Sequence, residues 1–417
     1  MLDRTAAPPF VRSTSFNLPP VHRTKLSNGL NLIQLENVQQ DIVKLEVVFE
    51  AGKWFESKAE VSNFTLQMLE KGTRSMTSVQ LAEFFDRYGA HIEIGSSFDF
   101  ASISLYALSK YFNKVYPVFL ELFTKPTFAD DELAQMKDQF LQGLKVKNEK
   151  TSYLASKAIR RQLFGSNHPY GHTTGESEVL QVTREDLVSF FDAHVHPTHL
   201  FILGRLNRSE VDTITTDFSQ LPMAVQGNLL FENFSATPAS HHIDKEGSVQ
   251  TSIRVGKKTI QRTHPDFASL QLLNYYLGGF FGSRLMKNLR EEKGLTYGIS
   301  SSVHPFRYNC ALLIGTDVNK ENRALAIDEI FGEIRNLKSI NENELELARR
   351  HFIGSLQGEI ASPFSILNKV KNIELYNLSP TYYSNLIEKV DAISKDDLQD
   401  LASRYFDEET FHTVSVG

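Results

Sequence analysis

The chain has 417 residues, of which 41% are apolar and 23% are charged, and its formal net charge at pH 7 is −6. This composition excludes a disordered or low-complexity protein, and the negative charge gives no electrostatic reason to expect binding to nucleic acid or to an anionic membrane. At ~150 residues per domain, the length predicts two or three domains.

Apolar periodicity predicts the elements of the first half in a clear order. The alternation over Lys44–Glu50 is typical of a half-buried strand. Helical spacing over Glu60–Glu70 and Val79–Tyr88 predicts two short helices, each followed by a glycine that can cap it. Beyond them we expect a hairpin over His91–Ala107, long helices over Phe112–Phe123 and Ala129–Lys147, and a buried strand over Leu200–Arg205.

The second half repeats this order. Local pieces superimpose at offsets of 205, 206 and 212, as when Gly89 falls on Gly294, Asn113-Lys114 on Asn319-Lys320 and Phe128 on Ile340. An internal duplication of about 200 residues is therefore expected. The elements predicted in this half are helices near Asp266–Leu277 and Ser283–Lys293, a hairpin over Leu295–Val303 and Asn309–Thr316, and helices over Asn322–Leu337 and Asn341–Leu356.

The duplication predicts an α+β fold of two similar domains. We place them at residues 1–222 and 241–417, joined by a linker at 223–240, where Gly, Asn, Ser and Pro separate short apolar stretches. A cleft between two such halves is a natural place for an extended ligand.

The expected location is the cytoplasm. The single cysteine, Cys310, suits a reducing compartment and is expected to be a core residue. The amino terminus has an early acid, two prolines and no apolar core of a secretory signal, and no apolar run reaches the ~18 residues of a membrane helix. A periplasmic location stays open if a signal has been removed.

A set of motifs runs along the chain: Glu50-Ala51-Gly52-Lys53-Trp54-Phe55-Glu56, Asn63 to Thr73, Leu163-Phe164-Gly165, His168-Pro169-Tyr170-Gly171, Gln250-Thr251-Ser252, and Ser283-Arg284-Leu285 to Tyr297. These motifs resemble the insulinase/pitrilysin-like metallopeptidases, the inverzincins, and in particular half-sized bacterial relatives of mitochondrial processing peptidase. The resemblance covers nearly the whole chain, duplication included. It implies two domains, each an antiparallel-rich sheet covered by helices, and a partner chain that completes a substrate chamber.

Catalytic members of this family carry H-x-x-E-H on a helix, with two histidines binding zinc and the glutamate acting as the base. In this chain the matching positions are Asn63, Leu66 and Gln67, and the position of the more distant glutamate ligand falls near Gly143. Amides are poor zinc ligands and leucine cannot be a base. We therefore expect no metal and no cofactor in this chain, with zinc held by a partner subunit instead.

The resemblance assigns a role to Arg290 and Tyr297 in the second half. An Arg and a Tyr seven residues apart, flanking a Gly-Leu turn, bind the substrate peptide in this family and support the transition state at zinc held by the other half. Guanidinium and phenol groups both donate hydrogen bonds to a carbonyl oxygen as it gains charge. The alternative is that Arg290 pairs with a helical carboxylate and Tyr297 is a half-buried strand aromatic.

The one dense histidine cluster is a separate candidate. His194, His196 and His199 lie where a helix passes into a predicted strand, and i, i+2 residues of a strand share a face. A metal site and ordinary loop or cap histidines are both compatible with this pattern.

Three functional hypotheses follow. The first is a zinc-less subunit of a heteromeric metallopeptidase, inactive alone, which pairs with a zinc-bearing homologous subunit and presents Arg290 and Tyr297 to an extended peptide. The second is a catalytically silent scaffold subunit that needs neither residue. The third is a peptidase with an unusual metal site at the three histidines. Partner identity, peptide specificity and homodimer formation stay open.

Overall fold

A computed structural model of the chain describes residues 16–35, 41–223, 231 and 234–417. Its strands form a six-stranded sheet in the order β1-β2-β6-β3-β5-β4 and a five-stranded sheet in the order β7-β11-β8-β10-β9. They are β1 (Val21–Lys25), β2 (Asn31–Leu35), β3 (Ile42–Phe49), β4 (His91–Ser96), β5 (Ala101–Leu108), β6 (Pro197–Leu203), β7 (Ser240–Ile243), β8 (Gln250–Lys258), β9 (Ile299–Pro305), β10 (Cys310–Asn319) and β11 (His412–Val416).

Helices cover both sheets, and no helix among the described residues is long and apolar enough to cross a membrane. Two segments, Tyr275–Gly279 and Met286–Glu292, are π-helical. The α-helices are α1 (Val61–Met68), α2 (Ser78–Arg87), α3 (Phe112–Thr124), α4 (Asp130–Asn148), α5 (Thr151–Phe164), α6 (Glu176–Gln181), α7 (Arg184–His194), α8 (Arg208–Ser219), α9 (Phe267–Asn274), α10 (Arg323–Asn336), α11 (Glu342–Gly358), α12 (Pro363–Leu375), α13 (Tyr382–Ala392) and α14 (Lys395–Tyr405).

The contacts divide the chain into two units. The amino-terminal unit consists of the described residues of Pro19–Ser248, with Phe306–Tyr308 and His412–Gly417. The carboxy-terminal unit consists of Val249–Pro305, Asn309–Phe411 and the described residues that end at Leu18. Half of the linker that we proposed at 223–240 lies outside the described residues.

Strand β3 is the centre of the amino-terminal unit. It runs antiparallel to both of its neighbours, β5 and β6, and the pairing with β6 is interrupted by a register shift between Val48 and Phe49. Every residue from Val43 to Phe49 is buried, including Lys44 and Glu46, which form an ion pair at 2.8 Å. The strand is therefore covered on both faces, whereas its alternation predicted a half-buried strand. Helix α1 follows this strand and packs on α4 through the edge-to-face pair Phe64–Phe140, at 5.3 Å between ring centroids.

The carboxy-terminal unit has its own apolar core, built on strands β8, β10 and β9. Strand β10 pairs antiparallel with both β8 and β9, so Ile314 lies opposite Val255 on one side and Ser301 on the other. Helices α9, α10, α11, α13 and α14 all contribute fully buried side chains to this core. Phe16, which precedes the first strand, also packs into it.

The two units share one order of elements, which confirms the α+β class and the duplicated architecture. In each unit a strand, two short helical segments and a hairpin are followed by a 3₁₀ turn and long helices. One overlay from the sequence is wrong, because α3 begins at Phe112 and α10 at Arg323, an offset of 211 where Asn113 on Asn319 requires 206. The two hairpin loops have equal length, but the segment from Gly294 to β9 is longer than that from Gly89 to β4, and strand β10 is longer than β5. Short polar pairs are too common to fix a register.

Candidate functional site

Helix α1 carries Asn63, Leu66 and Gln67, the three positions that the resemblance aligns with the zinc motif. It begins directly after Glu60, whose backbone is left-handed at φ 67°, and it buries most of its residues. Leu66 is fully buried in the core, while Asn63 and Gln67 are half-buried. The Asn63 side-chain amide donates a hydrogen bond to Glu60 Oε2 at 3.1 Å. The motif positions are therefore one core leucine and two amides, of which Asn63 is already engaged.

Gly143, the fourth position, lies inside helix α4 and has no side chain to offer. A Cβ at Gly143 would meet no atom within 4 Å. Within the described parts of the chain, no three His, Cys, Asp or Glu side chains come together in a way that could hold a metal ion. The residues at the family's zinc position do not fit zinc, because they supply neither imidazole nor a distal carboxylate.

Two glutamates next to α1 form a buried polar cluster that the sequence reasoning missed. Glu60 pairs with Lys53 Nζ at 2.7 Å and accepts a hydrogen bond from Thr174 Oγ1 at 2.5 Å. Burial raises the pKa of Glu60, but the charge of Lys53 and hydrogen bonds from Lys53, Thr174 and Asn63 outweigh it, so the pKa lies below the usual value. The sequence could have indicated this cluster, because a lysine and two glutamates stand close together at positions 53, 56 and 60. We used the motif at this place only as evidence of family resemblance.

Glu56 has the opposite electrostatic situation. Burial raises its pKa to about 8, against the charge of Lys53 and a hydrogen bond from the Ser62 backbone N–H, which lies 3.1 Å from Glu56 Oε1. At neutral pH this carboxyl is therefore protonated and can donate a hydrogen bond. Glu56 lines a cleft of about 320 Å³ in the amino-terminal unit, together with Lys53, Lys58 and His172.

Arg290 and Tyr297 both lie in the carboxy-terminal unit. Arg290 is half-buried in the π-helical segment Met286–Glu292, where its guanidinium carbon lies 4.6 Å from the ring centroid of Phe281. No carboxylate among the described residues forms an ion pair with it, whereas the nearby Arg284 is paired with both Glu333 and Glu344. The structural alternative for Arg290, a helical ion pair, does not match this geometry.

Tyr297 is 92% exposed. Our prediction that it lies on a strand is wrong, since β9 begins two residues later at Ile299. Hydrogen bonds of the preceding residue nevertheless attach this loop to strand β10. Thr296 Oγ1 donates to the Asp317 carbonyl at 2.9 Å and also contacts Thr316 Oγ1 at 2.9 Å. The phenol of Tyr297 therefore lies outside the core, on a loop that hydrogen bonds hold to strand β10.

The turn between Arg290 and Tyr297 is built by a glycine. Gly294 has φ +61°, which an L side chain rarely adopts, and the Leu295 N–H returns to the Leu289 carbonyl at 2.8 Å. Gly89, its counterpart in the amino-terminal unit, has φ +58°. The π-helical hydrogen bonding of Met286–Glu292 is a feature that sequence periodicity does not reveal. Such segments are frequent at functional sites.

The three clustered histidines have separate partners. The His194 ring packs against Phe190 at 4.9 Å, and burial together with the neighbouring His196 lowers its pKa. His196 Nε2 contacts the Asp192 carbonyl at 2.8 Å, while His199 Nδ1 contacts Thr198 Oγ1 at 3.2 Å. This arrangement favours loop and cap histidines over a shared metal site.

Cys310 and His168 have structural surroundings. Cys310 is buried, and burial raises the pKa of its thiol to about 12, so it is a poor nucleophile. His168 Nδ1 accepts a hydrogen bond from the Tyr170 backbone N–H at 3.1 Å. The Tyr170 hydroxyl donates to Asp99 at 2.5 Å, so this segment is tied into the amino-terminal core.

Comparisons with known proteins match both halves of the chain. Residues 32–175 match the family model described as "Insulinase (Peptidase family M16)", and residues 181–352 match "Peptidase M16 inactive domain". A solved structure, a peptidase M16 inactive domain from Pseudomonas fluorescens, has a TM-score of 0.87 at 26% identity and covers 96% of this chain and 98% of that one.

Curated relatives carry two kinds of name. The "Non-peptidase homolog YmxG" of Helicobacter pylori is 23% identical over 383 residues, which is 89% of this chain and 88% of that protein. The "Uncharacterized zinc protease YmxG" of Bacillus subtilis is 23% identical over 398 residues, or 93% and 96% of the two chains. Similarity at this level therefore extends over nearly the whole length of proteins described both as peptidases and as non-peptidases.

Proposed function

Because the chain belongs to peptidase family M16 and its α1 helix lacks the family's zinc motif, we propose that it is the zinc-less subunit of a two-chain peptidase. It closes a substrate chamber with a zinc-bearing homologous subunit. There it presents Arg290 and Tyr297 to an extended peptide, and it is inactive by itself.

The observation that carries this proposal is the state of Tyr297. A tyrosine that served the fold would be buried, yet this one is almost fully exposed on a loop pinned by Thr296. Tyr and Arg are the residues most enriched where protein surfaces make strong contacts. Because Tyr297 is exposed while the adjacent Thr296 is fixed by hydrogen bonds, we favour a role for Tyr297 in binding a ligand or a partner.

Arg290 supports the same assignment. Its guanidinium contacts the face of Phe281, which leaves its N–H groups without an acidic partner among the described residues. A guanidinium held in this way can donate hydrogen bonds to peptide carbonyl oxygens, and a phenol can do the same. Together the two side chains supply donors for a carbonyl oxygen that gains negative charge as the peptide bond is attacked.

The test is reconstitution with a zinc-bearing relative from the same genome. The chain alone should not cleave a fluorogenic peptide, and the pair should cleave it. Replacing Arg290 by Ala, or Tyr297 by Phe, should lower kcat/KM of the pair by ~10²–10³, the typical effect of removing one such donor. Size-exclusion chromatography of each variant with the partner separates a loss of catalysis from a loss of assembly.

Arg335→Ala is the matched control. Arg335 is an exposed arginine of helix α10 in the same unit and forms a surface pair with Glu408, so its removal should leave the pair's activity unchanged. Chelator-sensitive cleavage by this chain alone would overturn the proposal. Full activity of a pair that carries both Arg290→Ala and Tyr297→Phe would instead assign the chain a scaffold role.

A further inference from the structure

A cavity of about 340 Å³ lies within the carboxy-terminal unit and uses neither Arg290 nor Tyr297. Its volume lies within the range of small-molecule sites. Helix α9 forms one wall, while α11, α12 and α13 form the others. The polar side chains that matter most are Arg262 and Gln271, and the aromatic lining includes Tyr376 and Tyr382.

Two buried polar atoms of this lining have no hydrogen-bond partner among the described residues. They are Arg262 Nε, a charged N–H donor, and Gln271 Oε1, a carbonyl acceptor. Buried polar atoms are nearly always hydrogen-bonded in folded proteins. A molecule that satisfies both must present an acceptor, best an anion, to Arg262 and an N–H donor to Gln271.

Arg262 is held in place by its other contacts. Its guanidinium carbon lies 3.6 Å from the ring centroid of Tyr376, and its Nη2 donates to the Pro305 carbonyl oxygen. Stacking and a backbone hydrogen bond therefore fix the plane of the guanidinium before any ligand arrives. A fixed guanidinium loses little conformational entropy when it binds a carboxylate.

The charges around the cavity favour an anion. Glu359, the acidic residue of the lining, is already paired with Lys369. Lys369 also lies 4.8 Å from the ring centroid of Tyr383. The positive charge of Arg262 is thus left without a carboxylate among the described residues. Burial raises the pKa of Tyr382 to about 12, so its phenol is neutral and available as a further donor.

One part of the remaining lining is apolar, although Ser355 and Asn372 also line the cavity. Phe267 is almost fully buried, and Phe352, Leu356 and Leu386 continue the same surface. Such a wall favours a flat hydrophobic group over a second charge, because burying an unpaired charge is costly.

We propose that this cavity binds an aromatic amino-acid carboxylate with an acylated nitrogen, the group found at the carboxyl end of a peptide. Arg262 Nε donates to the carboxylate, Gln271 Oε1 accepts the amide N–H, and the aromatic side chain lies against the phenylalanine and leucine wall. This recognition takes place in the carboxy-terminal unit alone and is independent of any peptidase activity.

The test is calorimetric titration of the full chain with three probes. N-acetylphenylalanine should bind, while its N-methylamide, which lacks the carboxylate, and 3-phenylpropanoate, which lacks the N–H, should each bind about tenfold to a hundredfold more weakly. A tripeptide that ends in phenylalanine distinguishes a peptide terminus from a free acylated amino acid. Equal binding of the acid and its N-methylamide would overturn the proposal, as would no heat from any probe at millimolar concentration.

Variants locate the binding. Arg262→Lys keeps the charge but removes the Nε donor, and Gln271→Leu removes the acceptor, so each should weaken N-acetylphenylalanine at least about tenfold. Asn385→Ala is the control, since Asn385 lines only the neighbouring depression that shares Arg262 with this cavity. Thermal unfolding verifies that each variant is folded, and a folded Gln271→Leu chain with unchanged affinity would refute the assignment.

Discussion

Glu56 and Glu60 lie four residues apart before helix α1, yet their carboxyl groups are in opposite states at neutral pH. Glu60 has Lys53, Thr174 and Asn63 as partners, which keep it ionised although it is buried. Glu56 is half-buried, and the charge of Lys53 and the backbone hydrogen bonds from Ser62 and Glu60 do not offset the loss of solvation, so its pKa rises to about 8. The negative charge of Glu60 raises the pKa of Glu56 further, while Lys53 pairs directly with Glu60. Neighbouring charges and hydrogen bonds, and not burial alone, therefore decide the difference.

Glu56 should make the protein less stable as the pH rises from 5 to 8. A pKa of about 8 in the folded chain, against 4.5 as the ordinary value, means that the folded state binds a proton that the unfolded state has already lost. Glu56→Gln should therefore weaken this dependence, gaining stability relative to the wild type by up to a few kcal/mol at pH 8. Urea unfolding at pH 5, 6, 7 and 8 measures the effect.

Glu83→Gln is the matched control for this prediction, because Glu83 is an exposed residue of α2. Its curve should run parallel to that of the wild type. If the Glu56→Gln and wild-type curves are also parallel from pH 5 to 8, then Glu56 is ionised in the folded chain and the expected burial effect is absent.

At the scale of elements, the segment from Met286 to Ile299 differs in kind between the two units. Its counterpart in the amino-terminal unit, α2, is a regular α-helix, whereas Met286–Glu292 closes with the wider i to i+5 hydrogen bonds, as from the Lys293 N–H to the Asn288 carbonyl. The same apolar spacing predicted a helix at both places. Periodicity cannot distinguish a π-helical segment, because its wider turn is stabilised by tertiary packing around Leu289.

Two glycine replacements should have opposite effects on stability. Gly294→Ala should cost about 1–2 kcal/mol, since alanine is strained at φ +61° even though open space surrounds the position. Gly143→Ala lies inside α4, also in open space but with helical backbone, and should gain about 0.5–1 kcal/mol. Guanidinium unfolding of both variants gives the comparison, and equal changes in both would contradict the role of backbone strain.

At the scale of the whole molecule, the histidine content makes zinc binding a natural question. The described residues bring no three potential ligands together, and the three clustered histidines each have a separate partner. The chain purified alone should therefore contain less than about 0.1 equivalent of zinc, and added zinc should not raise its unfolding temperature, because only a ligand that prefers the folded state stabilises it. Elemental analysis and thermal scans measure both, and near-stoichiometric zinc would revive the metal site that we considered at His194, His196 and His199.

The fold was largely predictable because regular apolar spacing and capping glycines mark most of its helices and strands, and because the order of these elements repeats. Alternation over strand β3, helical spacing over α1 and α2 and the capping glycines Gly89 and Gly294 all predicted elements that the structure contains. Edge strands such as β1 and β7 were missed, since their residues are mostly exposed and carry little apolar alternation. The start of β9 was also misplaced, because Leu295 and Tyr297 extend the apolar pattern into a loop.

The primary structure alone established the family resemblance, the duplication and the loss of the zinc motif, because each depends on which residues occupy aligned positions. Only the tertiary structure decided the electrostatic state of individual groups. It gave Glu56 a raised pKa, exposed Tyr297, left Arg290 without an acidic partner among the described residues and placed Arg262 and Gln271 around one cavity. The physical reason is that burial and hydrogen bonding join residues far apart in the chain, so no local pattern encodes them.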